Sequence, residues 1–270
     1  MKTLSKIYNI LIFLFLYAPI VVMIIFSFND SKSRTVWKGF TTKWYAELFG
    51  DQAILDALLL SFIIAILAAI ISTVIGAAAA IGLKSMNVKL RNFMMSLNNI
   101  PMVNPEIVTG VSLMLLFVVV YRTTGLLQPG FGTVLLSHIT FCVPYVILSI
   151  MPKLRQMNPY IYEAAQDLGC PPARAFMKVV VPEIMPGIIT GMMMAFTLSL
   201  DDFIISYFTS GSSAQTLPVV IYSMTRKRVS PKINALSTIL FLIVLFLLVI
   251  INFRQIRDSA KEREKEQVKG

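Results

Sequence analysis

Charge is what this 270-residue sequence has least of: Asp, Glu, Lys and Arg make up 14% of it, against 56% hydrophobic residues. A soluble chain of this length needs polar helix faces recurring about every 3.6 residues, and the stretch from Ala57 to Leu83 carries no charge at all. Histidine is represented by His138 alone and cysteine by Cys142 and Cys170. One histidine and two cysteines, one in an apolar run and one in a polar segment, argue against both a metal centre and a disulfide framework. No Gly-Lys pair occurs, hence no G-x-x-x-x-G-K-[ST] loop, so the chain does not cradle ATP phosphates in the P-loop manner. No basic segment interleaved with stacking aromatics forms a soluble module, which argues against nucleic acid as a partner.

What is present instead is a series of apolar runs, each near the roughly 20 residues that cross a bilayer at about 1.5 Å per residue. Six spans are expected, at about 7–28, 57–83, 93–121, 132–151, 184–208 and 233–253. The fold class is therefore an all-α integral membrane protein, with membrane lipid as its surroundings. The first run follows Lys2 and Lys6 but exceeds the about 7 to 15 residues of a signal-peptide core, and no A-x-A-like site follows it, so it reads as a retained helix. With the N-terminus in the cytoplasm, fifteen of the 24 basic residues fall on the cytoplasmic side, six of them in the tail 254–270. That bias predicts both termini inside, although "RKR" at Arg226 to Arg228 and Lys232 fall outside.

This topology makes the polar insert from Pro152 to Pro182 a cytoplasmic loop between spans four and five. Asn158 and Pro159 supply an N-cap and a first-turn proline, Tyr160 to Leu168 continues as helix, and Gly169 fits a C-terminal cap. Pro171 and Pro172 then break the chain and start a second helix, which is expected to end or bend before Pro182. Ile161, Tyr162, Ala164, Ala165 and Leu168 give the first helix an apolar side. Periodicity leaves two readings open, a docking helix and an amphipathic helix at the lipid headgroups.

The spacing within the insert is more specific. Glu163, Ala164 and Ala165, three residues, Gly169, nine residues, then Val179, Val180, Val181 and Pro182 resemble the EAA loop of bacterial ABC importer permeases, written EAA, three, G, nine, I-x-L-P. Both aliphatic positions are Val here, a mild departure that keeps their apolar character. Further along, "NNIPMVNPEIVTGVSLMLLF", "SLDDFIISYFTSG" and "TLPVVIYSMTRKRVSPKINALSTILF" look like the spermidine/putrescine permeases of PotC type, so the resemblance extends over nearly the whole chain. It implies a MetI-like permease bundle over 1–270 as a single transmembrane domain, with coupling helices in the loop 152–182, in a bacterial cytoplasmic (inner) membrane. It also implies that Glu163, Ala164, Ala165, Gly169 and Pro182 engage a cytoplasmic ABC ATPase dimer. That partner would bind ATP and Mg and perform all catalysis, leaving this chain neither an enzyme nor a cofactor carrier. The other implied partners are a second homologous permease of PotB type and an extracytoplasmic polyamine-binding protein. The alternatives are an ABC permease for another small solute and an ion-coupled secondary transporter, for which no convincing repeat is visible.

Ionisable groups at membrane depth cost about 2.5 to 3.5 kcal/mol each on insertion scales, so three stand out: Glu106, Asp201 and Asp202. Carboxylates suit a polyamine, whose ammonium groups also lie favourably over aromatic faces such as those of Phe203, Tyr207 or Phe208. A second role is open for Glu106: with Asn104 and Pro105 it fits the start of a helix resuming after a break at Pro101. Adjacent helical residues point about 100° apart, so one aspartate is expected on the substrate pathway while the other pairs with a neighbouring helix. His138 reads as a satisfied structural histidine in preference to a proton relay, the other role open to it. Ser72, Gly76 and Ala80, and again Gly187 and Gly191, form small-xxx-small sets that predict close helix contacts.

Overall fold

The computed structural model describes residues 2–31, 36–227, 231–246 and 249. Its regular elements are helices, joined by one isolated antiparallel bridge between Asn29 and Phe40. In chain order they are α1 (Lys2–Ser27), α2 (Lys43–Phe49), α3 (Gln52–Ser85), α4 (Val88–Val103), α5 (Glu106–Thr124), α6 (Phe131–Gln156) and α7 (Ile161–Asp167). Then come α8 (Pro172–Ala175), a π-helical turn (Phe176–Val180), α9 (Val181–Asp201), α10 (Ile204–Thr209), α11 (Leu217–Lys227) and α12 (Pro231–Phe246). Five stretches are long and apolar enough to span a membrane: Tyr8–Ser27, Gln52–Ser85, Glu106–Thr124, Phe131–Gln156 and Pro172–Asp201. The end of the sixth expected span, beyond Phe246, and the basic tail 254–270 lie outside the described residues apart from position 249.

Two of the expected spans are interrupted. The run 93–121 is divided between α4 and α5 at Asn104 and Pro105, because a proline disfavours helical geometry in the residue before it and holds Asn104 extended at ψ 134°. Pro101, the expected break, lies inside α4. The run 184–208 is also divided, because α9 ends at Asp201 and α10 begins at Ile204. The helix expected to end or bend before Pro182 does not end there but runs on through it, with a departure from α geometry in the turn before it. The preceding turn widens to π geometry, with the Val181 N–H bonding the Phe176 carbonyl five residues back, which accommodates a residue that has no N–H of its own.

The chain divides into two compact units, 1–52 with 221–270, and 53–220. In the first, the turn after α1 is organised by Asn29, whose side chain donates to the Val36 carbonyl at 2.8 Å and accepts from the Lys38 N–H at 2.9 Å. Its own carbonyl accepts from the buried Trp44 indole at 2.8 Å. Lys43 pairs with Asp30, and Lys232 with Asp51 at 3.1 Å.

The second unit is built on small-residue contacts. Helix α3 buries Ser61, Ala65, Ala68, Ala69, Ser72, Gly76 and Ala80 on one side and leaves Leu59, Ile63, Ile66, Ile70 and Val74 exposed. Ile54, Ile64 and Leu83 are buried with them, and an inner side of mostly small residues opposite large exposed apolar ones is the pattern of a helix between protein and lipid, where close backbone approach replaces the hydrophobic effect. Helix α6 is the most buried of the five long apolar stretches, and Gly76 approaches it so closely that an added Cβ would lie 2.6 Å from Val146 Cγ1.

Candidate translocation and coupling site

Helices α6 and α9 pair along a seam that repeats every four residues. A Cβ on Gly187 would sit 2.9 Å from the Ser149 carbonyl, and one on Gly191 would sit 3.2 Å from the Val146 Cα. One step further, the Ala195 carbonyl accepts from the Cys142 Sγ–H at 3.4 Å. At the fourth step, Ser199 Oγ meets His138 Nδ1 at 2.6 Å. Gly187, Gly191, Ala195 and Ser199 are all buried, as are Ile150, Val146, Cys142 and His138 opposite them. Only residues this small let two helices run in such close register.

The seam ends where α9 ends. Asp202 is extended, with φ −64° and ψ 123°, and is only 8% exposed. Its carboxylate accepts from the first N–H groups of α10, Ile205 at 3.2 Å and Ser206 at 2.7 Å. Those amides have no partner within their own short helix, so the side chain does the work of an N-terminal cap. His138 lies against the same carboxylate, Nε2 to Oδ2 at 3.3 Å, and against Ser206 Oγ at 2.9 Å. A proton on Nε2 serves both contacts and leaves Nδ1 to accept from the Ser199 hydroxyl. The ring is 2% exposed and satisfied on both nitrogens.

The aspartates therefore do not sit 100° apart on one continuous helix. The backbone turns between them, leaving Asp201 exposed and Asp202 buried. Around the break, the rings of Phe203 and Tyr207 lie 5.6 Å apart and those of Tyr207 and Phe208 5.4 Å apart, with Tyr207 45% exposed. Glu106 is exposed in the first turn of α5, behind an extended Asn104 whose amide donates to Thr109 Oγ1 at 3.1 Å rather than capping the helix. Helix α5 packs on α10, where a Cβ on Gly110 would come within 3.1 Å of Phe208 Cδ2. The structure thus brings Asp201, Asp202, Phe203 and Tyr207 together at one joint, with Glu106 at the start of the helix that flanks it. Ser199 and Ser206 are absent from the sequence expectations. Continuing the Gly187, Gly191 spacing two more steps would have reached Ser199, whereas Ser206 has no comparable signal.

The polar insert has a different character. Asn158 opens it, its side chain accepting from the Tyr160 N–H at 3.0 Å. No residue of α7 is buried; Glu163 and Ala164 are exposed and Ala165 is half-buried. The helix closes in a Schellman arrangement: the Cys170 N–H bonds the Ala165 carbonyl at 3.1 Å and the Gly169 N–H bonds the Gln166 carbonyl at 2.8 Å. This requires Gly169 at φ +83°, a left-handed conformation that residues with a Cβ adopt at a cost. Leu168 beside it is 89% exposed, and Pro182 is exposed at the start of α9. Among the described residues no group of three His, Cys, Asp or Glu side chains is placed to hold a metal ion.

Solved structures share this fold. The chain matches a crystal structure of a bacterial ABC transporter that imports the acidic polysaccharide alginate with a TM-score of 0.70 at 12% identity, covering 93% of this chain and 96% of that one. The fold is thus one found in ABC transporters. At the level of sequence, the family of binding-protein-dependent transport system inner membrane components matches residues 72–257. The putrescine transport system permease PotI of Escherichia coli K12 is 44% identical over 84% of this chain and 82% of its own length. The spermidine/putrescine permease PotC of the same organism is 38% identical over 93% and 92%. The chain belongs to the family of binding-protein-dependent transport system inner membrane components.

Proposed function

We propose that the chain is a permease subunit of an ATP-driven ABC importer that moves polyamines, putrescine or spermidine, into the cell. The observation that carries this reading is the 38% to 44% identity, over more than four-fifths of the chain, to permeases of putrescine and spermidine/putrescine systems. In it the protein crosses the membrane six times, with both termini in the cytoplasm. The segment 152–182 faces the cytoplasm and seats α7 in a groove of an ATPase dimer. Small residues Ala164, Ala165 and Gly169 allow close approach, Glu163 supplies a charge-assisted hydrogen bond, and Pro182 marks where α9 takes up the motion. ATP and Mg belong to that partner, which performs the hydrolysis. A second permease of PotB type completes the pathway, and an extracytoplasmic binding protein delivers the solute.

The solute is met by carboxylates and aromatic faces. Exposed Asp201 and Glu106 are suited to ammonium groups, and Tyr207 and Phe203 offer ring faces beside Asp201. The buried Asp202 contributes by holding the joint on which these groups are mounted. ATP binding and hydrolysis favour different orientations of the bundle and so alternate its access.

The test is purification of the complex followed by uptake of radiolabelled putrescine and spermidine in proteoliposomes. The expected result is co-purification of an ATPase and uptake that needs internal ATP. Uptake driven by a proton gradient in the absence of any ATPase would sink the proposal.

A further inference from the structure

An imidazole and a carboxylate withdrawn from water persist only where partners answer their polar atoms. His138 and Asp202 meet this condition through an arrangement that draws on three segments. Ser199 comes from the last turn of α9, Asp202 from the break, Ser206 from α10, and the ring that touches all three comes from α6.

The neighbours of α10 show why one ring matters. On one side Gly110 of α5 lies against Phe208, and at its end the Thr209 carbonyl accepts from Thr133 Oγ1 of α6 at 2.7 Å. The first turn of α10 gives its Ile205 and Ser206 N–H groups to the Asp202 carboxylate, its Ser206 hydroxyl to His138 and its Ile204–Ile205 backbone to the packing of Gly110, and the carboxylate itself lies against His138. Asp201 precedes the break and Tyr207 follows it. Their relative placement therefore depends on a ring that faces neither solvent nor lipid.

We infer that His138 is a positioning residue for solute passage: it pins the join between α9 and α10 so that Asp201, Phe203 and Tyr207 keep one fixed arrangement, with Asp202 as its buried counterpart rather than a group that meets the cargo. This rests on the permease reading above. The pin acts on the rate of passage and leaves the capture of solute, which belongs to the binding protein, unchanged.

The test uses the full complex of ATPase, both permeases and binding protein in proteoliposomes, with radiolabelled putrescine and spermidine. His138→Leu lowers maximal uptake by about tenfold or more, with the half-saturating solute concentration and the co-purified ATPase unchanged. His138→Gln, whose amide reaches part of the same cluster, is intermediate. Asp202→Asn is also slow, and combining it with His138→Leu costs no more than the worse single variant, because both remove one shared device. Full uptake by His138→Leu, or losses that multiply in the double variant, overturns the inference. Hydrogen exchange supplies a readout that needs no cargo: the amides of Ile205 and Ser206 exchange faster in the order unsubstituted chain, His138→Gln, His138→Leu, while those of α3 do not change. An unchanged rate at Ile205 and Ser206 overturns the pin even if uptake falls. An unsubstituted complex that takes up neither polyamine overturns the substrate reading, and the exchange order still decides the role of His138.

Discussion

The ends of α7 and α9 are both helix terminations rich in acidic and small residues, yet they are finished in opposite ways. At Gly169 the backbone satisfies its own carbonyls and every side chain of α7 stays out of the core. At Asp202 the carboxylate satisfies the next helix, and a histidine and two serines bury the result. A terminus complete in itself leaves its side chains available to another molecule, whereas one finished by side chains from neighbouring helices has committed them to internal geometry. The contrast fits the two roles proposed above, docking for the first region and alignment for the second.

The comparison breaks most sharply at Asp202. Asp202→Ala removes the acceptor for two α10 amides and for His138, leaving buried donors unanswered, at an expected cost of about 3 to 5 kcal/mol. The measurement is thermal unfolding of the purified complex, expected to show a large fall in Tm and poor recovery of the subunit. Asp201→Asn, one residue away and exposed, is expected to leave the Tm unchanged while slowing polyamine uptake. Equal effects on Tm would erase the distinction between the two aspartates.

Next in size is the seam that leads to the break. Gly187→Leu forces side-chain atoms against the Ser149 carbonyl, Ile150 and Lys153, where even a Cβ lies within 3.1 Å of all three. Overpacking of this kind costs about 1 to 3 kcal/mol, and backbone atoms cannot yield as a flexible side chain can. The expected outcome is a lower Tm than for the same change at Gly82, whose Cβ would meet nothing within 4 Å.

Much of this contrast can be read in the sequence, and the unread parts have identifiable causes. Hydrophobic length alone sets where α1, α3 and α6 run, so those spans are expected nearly as found. The spacing of Glu163, Gly169 and Pro182 marks the insert because backbone constraints at Gly and Pro are local. The break at Asp202 is different: no Pro or Gly accompanies it, and it is stabilised by His138, 64 positions earlier in the chain. At Pro182, of the expected end or bend, the helix does not end: a single π turn in the preceding residues absorbs the missing N–H and the helix runs on. Local chemistry is legible from one segment, but a break made by long-range side-chain contacts appears only when the helices are assembled.

The smallest expected effect on the chain's own stability is at α7, where it also tests the docking role most cleanly. Gly169→Ala places a Cβ on a residue at φ +83°, with a penalty of about 1 to 2 kcal/mol borne by the end of α7, although the Cβ itself meets nothing within 4 Å. Glu163→Ala removes an exposed carboxylate and should leave the Tm of the permease where it was. If α7 is a docking element, both variants nevertheless lower the amount of ATPase that co-purifies or the uptake obtained per ATP hydrolysed, and Glu163→Gln, which keeps a hydrogen-bonding end, recovers part of the loss. An amphipathic helix merely resting at the headgroups would show the reverse pattern: Glu163→Ala would bind the membrane more firmly, with ATPase recovery and uptake unaffected. Because neither substitution reaches the seam or the pin, a loss of coupling with normal Tm and normal exchange at Ile205 and Ser206 would locate the defect in the contact between α7 and its partner.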